Sequence, residues 1–302
     1  MNIRELGALV DHITVANTPT DEADLVDELT AIDFPVVLSF INAHTMNIAR
    51  DDRALLQDLL DSSLLLRDGV GMSILMRMIG KSPGLNSNGT DLIPKIASEF
   101  KGRSVALLGT EDVYVARAAE YATRVGCDVV LVENGFQHPQ LYVEKIWETR
   151  PDLVVLGMGT PKQERVAQMI ARRVEHPVVI VNGGAILDRW AGRFRRAPAL
   201  VRRLRAEWLY RLAREPRRLW RRYLLGNWRF MAWALSLALA RSRGMLAIAP
   251  APGQWSPIHK RESAEASAEV RPMGLGAHKH VHALQRSIDS VMATVDHGRE
   301  DA

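Results

Sequence analysis

Val36-Val37-Leu38-Ser39-Phe40-Ile41-Asn42-Ala43-His44 opens the stretch, running to Gly89, on which the reading of the whole chain depends. Val36 to Phe40 is mostly apolar, with β-branched and aromatic residues, and ends at the polar Asn42 and His44, so it reads as a buried strand. Asp51 to Ser62 is amphipathic, with Leu55, Leu56, Leu59 and Leu60 on one side of a helix. Leu64-Leu65-Leu66 is too short for a helix between Ser63 and Gly69 and reads as a second strand. Gly69 to Ile79 is almost wholly apolar, the mark of a buried helix. Lys81 to Gly89, with Pro83 and two glycines, is a loop, and Thr90 to Lys101 is a helix with Pro94 in its first turns. Polar residues and glycines thus collect at the carboxyl ends of strands, where open α/β sheets bind ligands.

The same alternation continues outward. Residues 103–109, 128–133, 152–157 and 177–181 read as strands, and 111–125, 139–149 and 162–174 as helices. Upstream, Asp11 to Val15 is a candidate strand in a short β-containing entry, and Thr20-Asp21-Glu22 starts a helix running to about Ile32. Short strands alternating with longer helices predict an α/β fold of Rossmann-like parallel sheets with flanking helices. A catalytic domain is expected over residues 1–198, in two halves of about 1–101 and 102–198. Residues 199–245 form a C-terminal arginine-rich helical appendage, two amphipathic helices (199–214 and 216–241) divided at Glu215-Pro216. Residues 246–302, rich in Pro, Gly, Ser and charge, read as a mostly disordered tail.

Composition narrows the function classes. With 47% hydrophobic and 25% charged residues the 302-residue chain is an ordinary globular protein. A single cysteine, Cys127, excludes an internal disulfide and a cysteine-rich metal site, and fits a reducing cytoplasm. Met1 to Asp11 lacks the pattern of a signal peptide. The net charge of +4 conceals an asymmetry: Arg189 to Arg229 holds 14 arginines against Glu207 and Glu215, which leaves the remainder acidic. That segment calls for an anionic partner. Its arginines are interleaved with Trp208, Tyr210, Trp220, Tyr223, Trp228, Phe230 and Trp233, the composition of a helix lying on an anionic membrane; no nucleic-acid module is recognisable. Met231 to Ala240 would rise only about 15 Å as a helix and does not span a bilayer.

Candidate site residues lie at the strand ends. Asp68, between a strand and a helix, is either a helix cap or an anionic general base. Asn42 and His44 could hydrogen-bond a sugar or a phosphate. Gly89-Thr90-Asp91 and Gly109-Thr110 are turns of the kind that cradle phosphates or sugar hydroxyls, and Gly69, Asn86 and Gly184 are further substrate-binding candidates at the strand ends. No complete Gly-x-Gly-x-x-Gly fingerprint and no P-loop occurs, which argues against a dinucleotide oxidoreductase and a P-loop enzyme. Neither Asp-x-Asp nor His-Glu-x-x-His is present, so no metal and no cofactor is expected, and arginines would have to meet a departing diphosphate.

Taken together, Ile41-Asn42-Ala43-His44, Arg67-Asp68-Gly69-Val70-Gly71, Gly89-Thr90-Asp91, Gly157-x-Gly-x-Pro-Lys-Gln-Glu164, Gly183-Gly184-Ala185, Arg196-Ala-Pro198 and Glu207-Trp-Leu-Tyr-Arg211 with Glu215-Pro216 resemble the WecG/TagA/CpsF family, glycosyltransferase family 26. The likeness covers roughly residues 10–225 and leaves the chain after about 235 outside it. It implies an inverting, metal-independent transferase. Such an enzyme moves a sugar from a UDP-sugar to a polyprenyl-diphosphate-linked saccharide, at the cytoplasmic face of the membrane, in exopolysaccharide or teichoic-acid-type synthesis. By the same likeness Asp68 is the base, Asn42 and Gln163 meet the substrate, and Arg211, Arg218 and Arg221 close over the diphosphate. This chain departs from it at Phe40, where many members carry Thr, and at Asn86, where many carry Arg. The competing reading is a non-catalytic protein that binds a nucleotide or an anionic membrane. A homo-oligomer is compatible with the sequence.

Overall fold

The structure is a computed structural model and describes residues 3–194, 197–198, 201 and 207–245. Its centre is one six-stranded, wholly parallel sheet in the order β2-β1-β6-β5-β3-β4. The strands are β1 (Pro35–Ile41), β2 (Leu64–Arg67), β3 (Ser104–Gly109), β4 (Asp128–Glu133), β5 (Leu153–Gly157) and β6 (Val178–Asn182). Strands from both halves of the chain share this sheet, because β6 pairs with β1 from Pro35↔Val178 to Leu38↔Val181. Five strands are buried nearly throughout, and their near-continuous runs of Val, Leu and Ile follow from helices covering both faces. Only β4, at the edge, alternates between exposed and half-buried positions.

The helices of the α/β body are α1 (Ile3–Asp11), α2 (Pro19–Leu29), α3 (Ala43–Asp51), α4 (Arg53–Leu60), α5 (Val70–Met78), α6 (Gly89–Glu99), α7 (Asp112–Arg124), α8 (Pro139–Thr149), α9 (Lys162–Arg173) and α10 (Ile186–Trp190). One face of the sheet packs on α2, α6, α7 and α10 through Leu25, Ile96, Ala118 and Leu187. The other is shared by two clusters: α8 and α9 cover β3, β5 and β6, while α1, α3, α4 and α5 cover β1 and β2.

Three local expectations change. Asp11 to Val15 is not a strand: α1 runs to Asp11, and only Thr14 bridges to Leu66, its N–H donating to the Leu65 carbonyl at 2.8 Å. The helix expected from Asp51 begins at Arg53 as α4, because the Asp52 backbone turns extended and its side chain accepts from the N–H groups of Ala54 and Leu55, and α3 before it was not read. The short α10 was not read at all.

The C-terminal region continues as α11 (Glu207–Arg214), α12 (Pro216–Trp220), a π-helical turn over Arg221–Leu225, and α13 (Gly226–Ser242). The break at Glu215-Pro216 falls where the sequence places it. The apolar run in α13 is part of the core: Phe230, Trp233, Ala234 and Leu237 pack among Leu9, Ile41, Met46 and Leu75. No helix among the described residues is long and apolar enough to cross a membrane. Residues 246–302, read as a tail, lie outside the described residues, as does most of 199–206.

Candidate active site

Because all six strands run the same way, their carboxyl ends face one edge of the molecule, and every strand-to-helix turn opens there. Adjacent strands lie about 4.8 Å apart. The register Ile41↔Arg67 therefore puts Asn42 and Asp68 side by side at the ends of β1 and β2.

Asp68 is half-buried, and its N–H donates to the Ile41 carbonyl at 2.8 Å, extending the ladder by one bond. The cap position of α5 is Gly69, at φ +88°, so Asp68 stands one residue outside the cap position of the helix. A side chain at position 69 would be strained in that conformation, while nothing lies within 4 Å of where its Cβ would be. Beneath this turn Arg67 is buried. Its guanidinium donates to the carbonyls of Pro83 (2.7 Å), Gly84 (3.0 Å) and Gly69 (3.2 Å), to Ser73 Oγ (2.7 Å) and to Asn86 Oδ1 (3.0 Å). Asn86 Oδ1 also accepts from the Gly69 N–H at 2.8 Å. Asn86 and Arg67 together fix the Asp68-Gly69 turn to the 81–89 loop.

Asn42 caps α3, its Oδ1 accepting from the N–H groups of His44 (3.0 Å) and Thr45 (3.1 Å). That commits the oxygen and leaves the amide nitrogen as the group that could donate to a ligand. His44 is half-buried in the first turn of α3. At the next turn along, Asn88 caps α6 and bonds Asp91 through both its amide atoms, so Asp91 belongs to a cap; Thr90 is half-buried beside it.

The crevice of the sheet lies between β3 and β5. The chain leaves β3 toward β4 on one side and leaves β5 toward β6 on the other. Helices α7 and α9 then cover opposite faces, with Val115 in one cluster and Val166 in the other. Such a topological switch point is where α/β sheets take nucleotides. Gly109 and Gly157 meet across it so closely that a Cβ on Gly109 would lie 2.4 Å from the Gly157 backbone. Beside it Thr110 donates to Asp188 Oδ1 at 2.6 Å, and Arg193 bridges Asp188 (3.1 Å) and Glu111 (2.9 Å) while lying over the Tyr114 ring.

Gln163, in the first turn of α9, is buried and ties two loops together. Its Oε1 accepts from the N–H groups of Gly159 (3.2 Å) and Gly184 (3.0 Å), and its Nε2 donates to Glu164 Oε1 at 3.0 Å. Lys162 reaches the other way, to the carbonyls of Gly135 and Gln137 at 2.9 and 2.8 Å.

The edge thus collects Asn42, His44, Asp68, Gly69, Asn86, Thr90, Asp91, Gly109, Gln163 and Gly184. Of the arginines, Arg221 is exposed beside the Trp220 ring, and the side chains of Arg211 and Arg218 lie outside the described residues. No group of three or more His, Cys, Asp or Glu side chains among the described residues is placed to hold a metal. Sequence reasoning missed the part played by Arg67, Glu164 and the Thr110–Asp188 pair. The one available signal was Arg67 itself, a charge at the end of an otherwise apolar strand.

The C-terminal helix reaches this edge from behind. Helix α13 packs on α3 and α5, the two helices that follow Asn42 and Asp68. Asn47 of α3 donates to the Gly226 carbonyl at 2.7 Å, and a Cβ on Gly71 of α5 would lie 3.4 Å from the Phe230 ring.

Comparison with known proteins agrees with this arrangement. The model of the glycosyl transferase WecG/TagA/CpsF family matches residues 5–244, through the end of α13 and beyond the 225 at which the sequence likeness stops. Proteins named N-acetylglucosaminyldiphosphoundecaprenol N-acetyl-beta-D-mannosaminyltransferase are similar over much of the chain. The one from Bacillus spizizenii is 29% identical over 54% of this chain and 65% of its own length. Those from Bacillus subtilis and Staphylococcus aureus are 27% and 29% identical, over 62% and 60% of this chain and 75% and 72% of theirs. With a family model matched from the first helix to the last described one, the chain belongs to the glycosyl transferase WecG/TagA/CpsF family.

Proposed function

We propose that this chain transfers a sugar from a UDP-sugar to a saccharide carried on a polyprenyl diphosphate, with inversion and without a metal. The observation that carries the reading is the placing of Asp68: at the ligand edge, beside Asn42, one residue before the Gly69 cap position of α5. The relatives' names supply the class of acceptor, a lipid diphosphate bearing N-acetylglucosamine. The donor's nucleotide fits the switch-point crevice, about 17 Å along the edge from the end of β2 at the usual strand spacing. Its sugar then extends toward Asn42 and Asp68.

In this scheme Asp68 takes the proton of the acceptor hydroxyl as that oxygen attacks the anomeric carbon. The bond from that carbon to the diphosphate oxygen breaks in the same displacement, so the configuration inverts and one carboxylate suffices. Charge grows on the departing diphosphate, where N–H groups of the strand-end turns and the arginines of 211–221 offset it. Gln163 acts through the two glycine loops it holds, and Asn86 through the Asp68-Gly69 turn.

The same reading puts the protein on the inner face of an anionic membrane. Trp208, Leu209, Trp220, Leu224 and Leu225 are all exposed, interleaved with the exposed Arg214, Arg217 and Arg221. Apolar side chains set among arginines suit the headgroup boundary of a bilayer.

The test is a screen of UDP-sugars against a short-chain lipid diphosphate bearing N-acetylglucosamine, with chelator present, read by product mass. One UDP-sugar should give a product heavier by one sugar residue. Binding of UDP without any product would favour the non-catalytic reading, and a product that vanishes with chelator would overturn metal independence.

A further inference from the structure

Among the described residues, two buried oxygens on the α9 side of the sheet have no hydrogen-bond partner: Glu164 Oε2 and Asn182 Oδ1. Glu164 is 1% exposed and Asn182 2%. They stand on a common polar layer between the sheet and helices α4 and α9. Asn182 donates to Ser39 Oγ at 2.8 Å, which pairs with Ser62 Oγ, and Ser62 donates to the Asp58 carbonyl. Gln168, one turn after Glu164 on α9, donates to that same carbonyl at 2.9 Å.

The other oxygen of Glu164 is fully used. Its Oε1 accepts from Thr160 Oγ at 2.8 Å and from Gln163 Nε2 at 3.0 Å. Gln163 in turn accepts from the N–H groups of Gly159 and Gly184. Two N–H donors on one side of the Gln163 amide and an acceptor on the other leave it a single orientation. Glu164 thereby stands behind both glycine loops, the one after β5 and the one after β6, and it also holds Thr160 of the first.

A charged carboxylate in this place would bury one oxygen bare. Burial pushes the Glu164 carboxyl above its ordinary range, and Asp58 across on α4 pushes the same way, while the bonds from Gln163 and Thr160 pull down. The cations nearby are turned elsewhere: Arg165 pairs with Asp58 at 2.8 Å, and Lys162 reaches the Gly135 and Gln137 carbonyls. A proton on Oε2 gives the side chain a donor in a layer that contains an unsatisfied acceptor.

We propose that Glu164 is a positioning residue: it fixes the Gln163 amide and through it the two glycine loops that border the donor crevice. This rests on reading that edge as the site of transfer.

The test uses the full chain with Glu164→Ala and Glu164→Gln, and reads two quantities. The first is amide hydrogen exchange at Gly159 and Gly184, which needs no substrate. The second is donor KM against kcat. In Glu164→Ala the two glycine amides should exchange about tenfold faster, the scale of one lost hydrogen bond, and donor KM should rise more than kcat falls. Glutamine has the shape and the donor of the neutral acid, and should restore both readouts to within about twofold of the parent chain. Unchanged exchange at Gly159 and Gly184 in the alanine variant would overturn the proposal. So would a glutamine variant as impaired as the alanine one, since the charge would then be what matters. If the parent chain transfers no sugar while the exchange pattern appears as expected, the proposed function fails and the positioning role stands.

Discussion

Residues 207–225 and 226–242 both mix aromatic, aliphatic and arginine side chains, yet they end in opposite surroundings. The first stretch leaves Trp208, Trp220, Leu224 and Leu225 exposed. The second buries Phe230, Trp233, Leu237 and even Arg241, which reaches Asp11 at 2.6 Å. The difference is one of available partners. Positions 230, 233, 234, 237 and 241 form one stripe of α13, and α1, α3 and α5 present an apolar surface to receive it. In residues 208–225 Leu219 is buried, but Trp208, Leu209, Trp220, Leu224 and Leu225 stay outward. Charge and composition cannot distinguish the two; spacing on a helix together with a receiving face can. The chain thus holds its C-terminal region by α13 and presents the preceding stretch.

Substitutions should separate the two stretches cleanly. Phe230→Ala removes a fully buried ring that packs edge-on to Trp233, with centroids 5.0 Å apart, and should cost about 3–5 kcal/mol in denaturant unfolding. A loss below about 1 kcal/mol would mean that α13 is not part of the core. The combined change Trp220→Ser, Leu224→Ser and Leu225→Ser should leave unfolding within about 0.5 kcal/mol per site. Yet it should weaken binding to vesicles containing phosphatidylglycerol by about a hundredfold, the combined worth of three apolar contacts. Equal vesicle binding by the triple variant and the parent chain would remove the membrane role from this stretch.

The smallest effect concerns charge inside the fold, where Glu164 contrasts with the exposed acids of the surface. Its carboxyl is raised above the ordinary value of 4.5, chiefly by burial. Between 4.5 and the folded value, the folded chain keeps a proton that the unfolded chain has released, so stability falls as pH rises through that window. Below the window the contribution is fully present. Glu164→Gln abolishes this slope, so its stability relative to the parent chain should improve as pH rises through that window and level off above it. A difference that is flat with pH would show that Glu164 titrates normally.

Much of the fold was legible because its signals are local. Apolar strands of four to seven residues, broken by polar turns, gave the parallel α/β layout and all six strands of the sheet to within one residue at each end. The misses were cases where a distant group decides. Helix α3, Ala43–Asp51, went unread, because it rests on the Asn42 cap and ends where Asp52 caps α4. Met231 to Ala240 read as surface helix until α3 and α5 were in place to receive it. The site divides in the same way. Asp68 was legible as a candidate, but its place one residue outside the cap of α5 goes with the φ of Gly69, a backbone angle that a sequence does not display. Gln163 was read as a group that meets the substrate, and the bonds of its amide to Gly159, Gly184 and Glu164, residues up to 21 positions away, were not legible. Asn86 likewise bonds Arg67 and Gly69 across the turn.

The most direct test of the account is Asp68→Asn, assayed for transfer and for donor binding on the same preparation. The amide keeps the size of the carboxylate and cannot accept the acceptor's proton. Turnover should fall by about a thousandfold, within the usual worth of a general base, with UDP affinity within about twofold of the parent chain. Turnover within about threefold of the parent chain would contradict the central claim that Asp68 is the base.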